Sequence, residues 1–278
     1  RRTHKPEVSG SIPLPATKNM ASSKEINTNF IKKLIKSFFE AFGYEIKRKN
    51  NFFDRYSNYI AELNDEEKIL INKFEKISLV TRLNLWSILQ SIKYIEDNKI
   101  EGDFVECGIY NGNTLSLLGI LLNKYNSKRM IWGYDTFEEG FIKNTLSFND
   151  KQLKKKDINL EKDTTKYLTM KEVIANINNN DYFDEKKYHL IKGDIIKTLD
   201  NSKNIPEKIS FLRMDTDIYN TTKKQLEILY PKLSIGGVLH IDDYGICPGV
   251  KKAVDEYFVN KKVWLHRVDL TCRYLIKS

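Results

Sequence analysis

Asp215, Asp217, Asp242 and Asp243 place four carboxylates in two short segments, Asp215-Thr216-Asp217-Ile218-Tyr219 and Asp242-Asp243-Tyr244-Gly245, each at the end of an apolar run. If those runs are parallel strands, their carboxyl ends converge where open α/β sheets bind ligands. Carboxylates gathered there repel one another unless a cation lies between them. A hard divalent ion with oxygen ligands, Mg2+ or similar, suits such a donor set. Asp215, Asp242 and Asp243 are the expected ligands. Asp215 and Asp217 share a face for as long as the strand persists; a helix opens near Thr221, so Asp217 can instead cap it. A metal there would lower the pKa of a bound hydroxyl and fix its orientation, and Asp215 is the candidate general base. His240 lies inside the second apolar run and reads as a satisfied core histidine.

The turn Glu106-Cys107-Gly108-Ile109-Tyr110-Asn111-Gly112 follows another apolar strand. Gly108 and Gly112 let the backbone turn tightly and approach a ligand. A dinucleotide fingerprint would read Gly-x-Gly-x-x-Gly and face a pyrophosphate. Here Glu106 stands in the first glycine's place, where it would repel a pyrophosphate and attract an ammonium. S-adenosylmethionine carries an ammonium and no phosphate, so the residue favours that cofactor over a nicotinamide dinucleotide. Asp135 ends the next strand, 29 positions on, and its carboxylate suits a pair of ribose hydroxyls. Asp194 ends a third strand and can accept from an adenine amino group, with Ile195 and Phe137 offering apolar contact to the ring.

The elements that must hold these residues are legible as rhythm. Phe30, Leu34, Ile35, Phe38, Phe39 and Phe42 recur at helical spacing until Gly43 stops the run, giving a face for the main domain or for a partner subunit. A second helix is expected from about Asp65 to Ile95, with Leu79, Leu83, Trp86, Leu89 and Ile92 on one side. Strands at 104–107, 130–135, 188–194, 209–214 and 238–241 alternate with helices at about 114–125, 165–178, 221–230 and 250–258. A turn is expected at 231–237. The stretch 263–276 alternates like an antiparallel pair. Five βα-type units and a terminal hairpin predict a doubly wound, Rossmann-like α/β sheet with an antiparallel edge. The long polar connection from about Phe137 to Leu160 reads as a functional lid or a disordered loop.

Composition narrows the partners. The 278 residues carry a net charge of +9, but Lys and Arg are scattered rather than interleaved with aromatics in a stripe, which argues against nucleic acid. The three cysteines have neither paired nor metal-ligand spacing, so a reducing, cytoplasmic setting is expected. No apolar run approaches the roughly 18 residues of a membrane span. Residues 1–19 hold three of the six prolines and read as a vector-derived tag.

Taken in order, Gly102-Asp103-Phe104-Val105-Glu106-Cys107-Gly108, Tyr134-Asp135-Thr136-Phe137-Glu138, Asp215-Thr216-Asp217-Ile218-Tyr219, Gly236-Gly237-Val238-Leu239-His240-Ile241-Asp242-Asp243-Tyr244-Gly245 and Val250-Lys251-Lys252-Ala253-Val254-Asp255-Glu256 resemble the macrocin O-methyltransferase family. That family methylates sugar hydroxyls of tylosin, mycinamicin and novobiocin-type antibiotics. The resemblance implies a class I, S-adenosylmethionine- and Mg2+-dependent O-methyltransferase over residues 79–278, preceded by an N-terminal helical extension at 20–78. It carries the metal role onto Asp215, Asp242 and Asp243, and the base role onto Asp215. Cofactor contacts fall on Glu106, Gly108, Ile109, Tyr110, Asn111, Gly112 and Asn113, on Asp135, Thr136, Phe137 and Glu138, on Asp194, and on Thr81 near the methionine carboxylate. The family turn usually has Arg or Lys where Asn111 stands, and His240 is unusual. The chain before Leu79 and the loop after Phe141 match poorly. The expected acceptor is a sugar of a surface glycan or its nucleotide-linked precursor, with homo-oligomer formation through the N-terminal helices. A nicotinamide-dependent oxidoreductase and a noncatalytic Rossmann-like binding protein are the alternatives.

Overall fold

The apolar runs that carry the acidic ends become neighbouring strands of one sheet. In the computed structural model these are β1 (Asp103–Cys107), β2 (Ile131–Asp135), β3 (Tyr188–Lys192), β4 (Ile209–Met214) and β5 (Leu233–Ile241), followed by β6 (His266–Arg267) and β7 (Arg273–Ile276). Their order is β3-β2-β1-β4-β5-β7-β6. The first five are parallel, and β7 runs antiparallel to both β5 and β6. The direction of winding reverses between β1 and β4, the position at which such sheets open a crevice. The structure describes residues 33, 35–43, 59–140, 146–150, 167–180 and 183–278.

The chain divides into two compact units, residues 1–59 and 60–278. In the first, residues 35–41 are helical and Gly43 leaves the helix at φ 79°. Ile35, Phe38, Phe39 and Phe42 are exposed, and the Phe38 ring lies 5.8 and 5.0 Å from those of Phe39 and Phe42. Phe30 and Leu34 lie outside the described residues.

The second unit begins ahead of the expected Leu79 boundary, because α1 (Asp65–Phe74) buries Ile71 and Phe74 in the same layer as α2 (Arg82–Asp97). The single helix expected from Asp65 to Ile95 is therefore two. The Ser78 hydroxyl donates to the Phe74 carbonyl beyond the end of α1, and the Thr81 hydroxyl accepts from the Asn84 N–H at the start of α2. Thr81 thereby satisfies an N–H that a continuous helix would have paired internally, while the Phe74 carbonyl accepts from the Ser78 N–H as well at 2.9 Å. Leu79 falls in the connection and is exposed.

Two helical layers cover the sheet. Phe104, Ile131, Tyr188, Phe211 and Val238 face α2, α3 (Asn113–Lys124) and α4 (Met170–Asn180). On the other face Val105, Leu212, Met214, Leu239 and Ile241 pack with α5 (Ile195–Thr198), α6 (Tyr219–Ile228) and α7 (Pro248–Phe258). The helix α4 starts later than expected, where Thr169 and Glu172 form a reciprocal capping box. β5 starts earlier: Ile209 pairs with Leu233 but Phe211 with Val238, so the expected turn at 231–237 is partly a bulge, with Gly236 at φ 81°. The cysteines are free and buried. No helix among the described residues is long and apolar enough to cross a membrane.

Strand register sets Glu106, Arg213, His240 and Tyr274 in one row across β1, β4, β5 and β7. His240 is fully enclosed, 2.9 Å from the Ser87 hydroxyl at Nε2 and 3.4 Å from the Cys272 sulfur at Nδ1. Burial, reinforced by the Arg213 charge, pushes its pKa down to about 3 from an ordinary value of 6.5. Below pH 6.5 the unfolded chain therefore takes up this proton before the folded one, and stability present above pH 6.5 is lost as the pH falls toward 3. His240→Gln should flatten that decline by up to ~1.4 kcal/mol per pH unit. Parallel melting-temperature profiles for the two proteins between pH 7 and 4 would show that His240 does not drive the loss.

Candidate active site

A buried arginine stands at the centre of the acidic residues. Arg213 occupies β4 between the apolar Leu212 and Met214 and is 1% exposed. Its Nη1 donates to Glu106 Oε1 at 2.9 Å and to Asp215 Oδ2 at 2.6 Å, and its Nη2 donates to Asp242 Oδ2 at 2.5 Å. One guanidinium thus joins the ends of β1, β4 and β5. Nothing in the spacing of the acids announced it; the signal was a lone charge inside an otherwise apolar strand.

Asp242 is saturated by the protein. Its Oδ2 also accepts from Asn84 at 3.2 Å, and its Oδ1 accepts from the Thr271 hydroxyl and the Asp243 N–H, both at 3.0 Å. A carboxylate has about four acceptor positions, and all four are engaged. Asp243 instead lies among the carboxyl groups of Asp215, Asp217 and Asp242, whose charges act on it. Burial raises Asp243 to about 9 and Asp217 to about 6, and holds Asp215 well above the usual carboxylate range despite Arg213. Ligand atoms of Asp217, Asp243 and Cys247 lie within 4.8 Å of one another. Burial keeps the Cys247 thiol protonated, which leaves oxygen donors. Asp215 and Asp243, with Asp217 beside them, are hard oxygen donors of the kind that suits a divalent cation.

The upstream turn is built against the same corner. Gly108 has φ 88°, and a Cβ there would overlap the Asp215 carbonyl oxygen. Gly112 opens α3 at φ 83° with Val173 and Ile177 of α4 against it. These glycines admit neighbouring protein as well as a tight turn. Asp135 bonds this turn to the end of β2: its Oδ2 accepts from the Ile109 and Tyr110 N–H groups at 2.6 and 3.0 Å, and its Oδ1 accepts from Phe137 N–H at 2.6 Å. Asn111 and Asn113 both donate to the Ile77 carbonyl. Glu106 is buried, its Oε2 has no hydrogen-bond partner among the described residues, and burial raises its pKa to about 8.

Other expected contacts are placed as follows. Thr81 caps α2 and donates to Asp269. The Thr136 hydroxyl donates to the Gly140 carbonyl at 2.6 Å, and Glu138 pairs with Lys192. Asp194 caps α5 by accepting from Ile196 N–H at 3.0 Å. Phe137 is buried in the α2–α4 layer and Ile195 in the opposite layer.

The profile of the Macrocin-O-methyltransferase (TylF) family matches residues 73–277. The chain belongs to that family. It is an S-adenosylmethionine-dependent O-methyltransferase on a class I Rossmann-like fold, which sets aside the oxidoreductase and noncatalytic readings. Demethyldecarbamoylnovobiocin O-methyltransferase of Streptomyces niveus is 29% identical over 217 residues, 75% of this chain and 77% of that protein. Mycinamicin III 3''-O-methyltransferase of Micromonospora griseorubida is 31% identical over 165 residues, 57% of this chain and 61% of that enzyme. The solved structure of the O-methyltransferase NovP superposes with a TM-score of 0.65 at 28% identity, covering 72% of this chain and 82% of NovP.

For this methyltransferase the guanidinium is the testable centre. Arg213→Met should cost about 3–5 kcal/mol of stability, because it strands buried carboxylates without their cation. Adding Glu106→Gln should recover part of that loss. Urea unfolding of the three proteins measures both effects; an Arg213→Met protein as stable as wild type would remove Arg213 from the centre of the cluster.

Proposed function

We propose that the enzyme methylates a hydroxyl of a sugar, with Mg2+ or a similar ion held by the acidic corner. The observation that supports this most is the gathering of five carboxylates, buried Glu106 and Asp242 and half-buried Asp215, Asp217 and Asp243, around Arg213, the one fully enclosed cation among the described residues. A further relative, 8-demethyl-8-(2,3-dimethoxy-alpha-L-rhamnosyl)-tetracenomycin-C 4'-O-methyltransferase of Streptomyces olivaceus, 28% identical over 160 residues, supports a sugar as acceptor. A surface-glycan sugar or its nucleotide-linked precursor is the preferred substrate, in the cytoplasm, and assembly through the N-terminal helices remains part of the proposal.

S-adenosylmethionine, when bound, supplies an electrophilic methyl on sulfonium. A cation held at Asp215 and Asp243 would orient the acceptor hydroxyl and lower its pKa. The chain's own residues do the rest. Glu106 presents its unpartnered Oε2 to the cofactor ammonium. The turn from Gly108 to Asn113, pinned by Asp135, fixes the methionine end of the cofactor, so that the hydroxyl and methyl meet in line. Two carboxylates can receive the hydroxyl proton. Asp215, the expected base, has Oδ2 committed to Arg213. Asp217 lies outside the three Arg213 bonds and at about 6 is closer to ambient pH. We assign the proton to Asp217 and keep Asp215 as a ligand.

Calorimetric titration of S-adenosylhomocysteine, with and without Mg2+, is the first experiment. Micromolar binding in both conditions is expected, with turnover on screened nucleotide sugars only in the presence of metal. Asp217→Asn should lower turnover by about 10²–10⁴-fold without changing S-adenosylhomocysteine affinity, and Glu106→Gln should weaken that affinity. Metal-independent turnover would defeat the metal assignment, and an active Asp217→Asn enzyme would return the base role to Asp215.

A further inference from the structure

The two helices that start beside the acidic corner lack caps of their own. The N-cap of α6 is Ile218, a buried apolar residue, and that of α7 is Cys247; neither side chain bonds to its helix. N-cap positions favour Ser, Thr, Asp or Asn, whose oxygen satisfies an otherwise orphaned N–H. For α6 that oxygen comes from 69 residues upstream. Asp150 Oδ1 accepts from the Tyr219 N–H at 2.8 Å. Its Oδ2 accepts from the Ser147 N–H and hydroxyl, both at 2.7 Å, and the residue is 2% exposed.

The same carboxylate reaches the start of α7. Gly249 lies in its first turn, and a Cβ there would overlap Asp150 Oδ1. Next to Asp150, the Asn149 side chain accepts from Lys252 of α7 at 2.9 Å. One carboxylate therefore sits where two helix N-termini meet, and both carry positive partial charge. Tyr219 is two residues past Asp217, and Gly249 is two residues past Cys247. The ligand atoms of Asp217, Asp243 and Cys247, on the segments that lead into these two helices, lie within 4.8 Å of one another.

We propose that Asp150 is a positioning residue for the acidic corner: by capping α6 from outside and filling the notch at Gly249, it holds the loops of Asp217 and Asp243 at the spacing a divalent cation requires. The inference rests on the metal reading given above. It assigns a role to the connection after β2 that does not involve touching cofactor or acceptor.

The test uses Mn2+ as the probe, titrated by electron paramagnetic resonance into the full chain saturated with S-adenosylhomocysteine. Wild type, Asp150→Ala, Asp150→Asn and Gly249→Ala are compared. Gly249→Ala is the independent arm, since it alters no polar group and alanine suits a helix. Asp150→Ala and Gly249→Ala should each weaken Mn2+ binding by at least tenfold while S-adenosylhomocysteine affinity stays within twofold. Asp150→Asn should fall between, because it keeps one acceptor and loses the other. Should Asp150→Ala fail to fold, Gly249→Ala decides. Unchanged Mn2+ affinity in the folded variants, with wild type binding Mn2+, overturns the role of Asp150 and leaves the metal site standing. Wild type that binds S-adenosylhomocysteine but no Mn2+ overturns both.

Discussion

A guanidinium enclosed in a sheet has to be neutralised, and that constraint organises this enzyme. Removing such a charge from water costs several kcal/mol even after relaxation, so Arg213 is tolerable only with carboxylates in bonding geometry. They come from three adjacent strands: Glu106 at the end of β1, Asp215 just past β4 and Asp242 just past β5. Strand register and the placement of the acids are thus one requirement. A slip of one residue in β4 would turn Arg213 toward the opposite apolar layer. The glycine turn after β1 and the acidic corner, which read as separate motifs, meet at a single positive charge.

Backbone conformation shows the same concentration. Tyr110, Phe137, Asp217 and Asp243 have φ of 54°, 56°, 60° and 59°, and each lies just past the carboxyl end of a different strand. Aspartate enters this region with moderate ease, whereas bulky aromatic residues rarely do. Such conformations persist where surrounding bonds over-determine them. Asp135 supplies those bonds for both aromatics, accepting from the Tyr110 and Phe137 N–H groups at once. The rim is accordingly the stiffly specified part of the fold.

Much of this was legible beforehand, because strand ends and turns are local signals. The alternation of short apolar runs with helical rhythm gave the parallel sheet and its terminal hairpin, and the acid in place of a first glycine pointed to the cofactor. What escaped was set by contacts distant in sequence. Arg213 looked like one more basic residue until Glu106 and Asp242 were seen on either side of it. The helix expected through Leu79 broke because Ser78 and Thr81 prefer backbone partners at helix ends. The bulge near Gly236 shows only in the pairing with β4. Asp135 and Asp194 also have bonds to protein that spacing did not announce, Asp135 across to the Ile109–Tyr110 turn and Asp194 at the start of α5.

The enclosure of the three cysteines has a practical side. Cys107, Cys247 and Cys272 are all buried, and burial pushes each thiol far above its ordinary pKa. Alkylation and disulfide exchange proceed through the thiolate, so the native protein is close to inert toward maleimides. A cysteine introduced at an exposed position of the helix at 35–41 would then be the single reactive handle on the chain. A fluorophore attached there would report on the first compact unit.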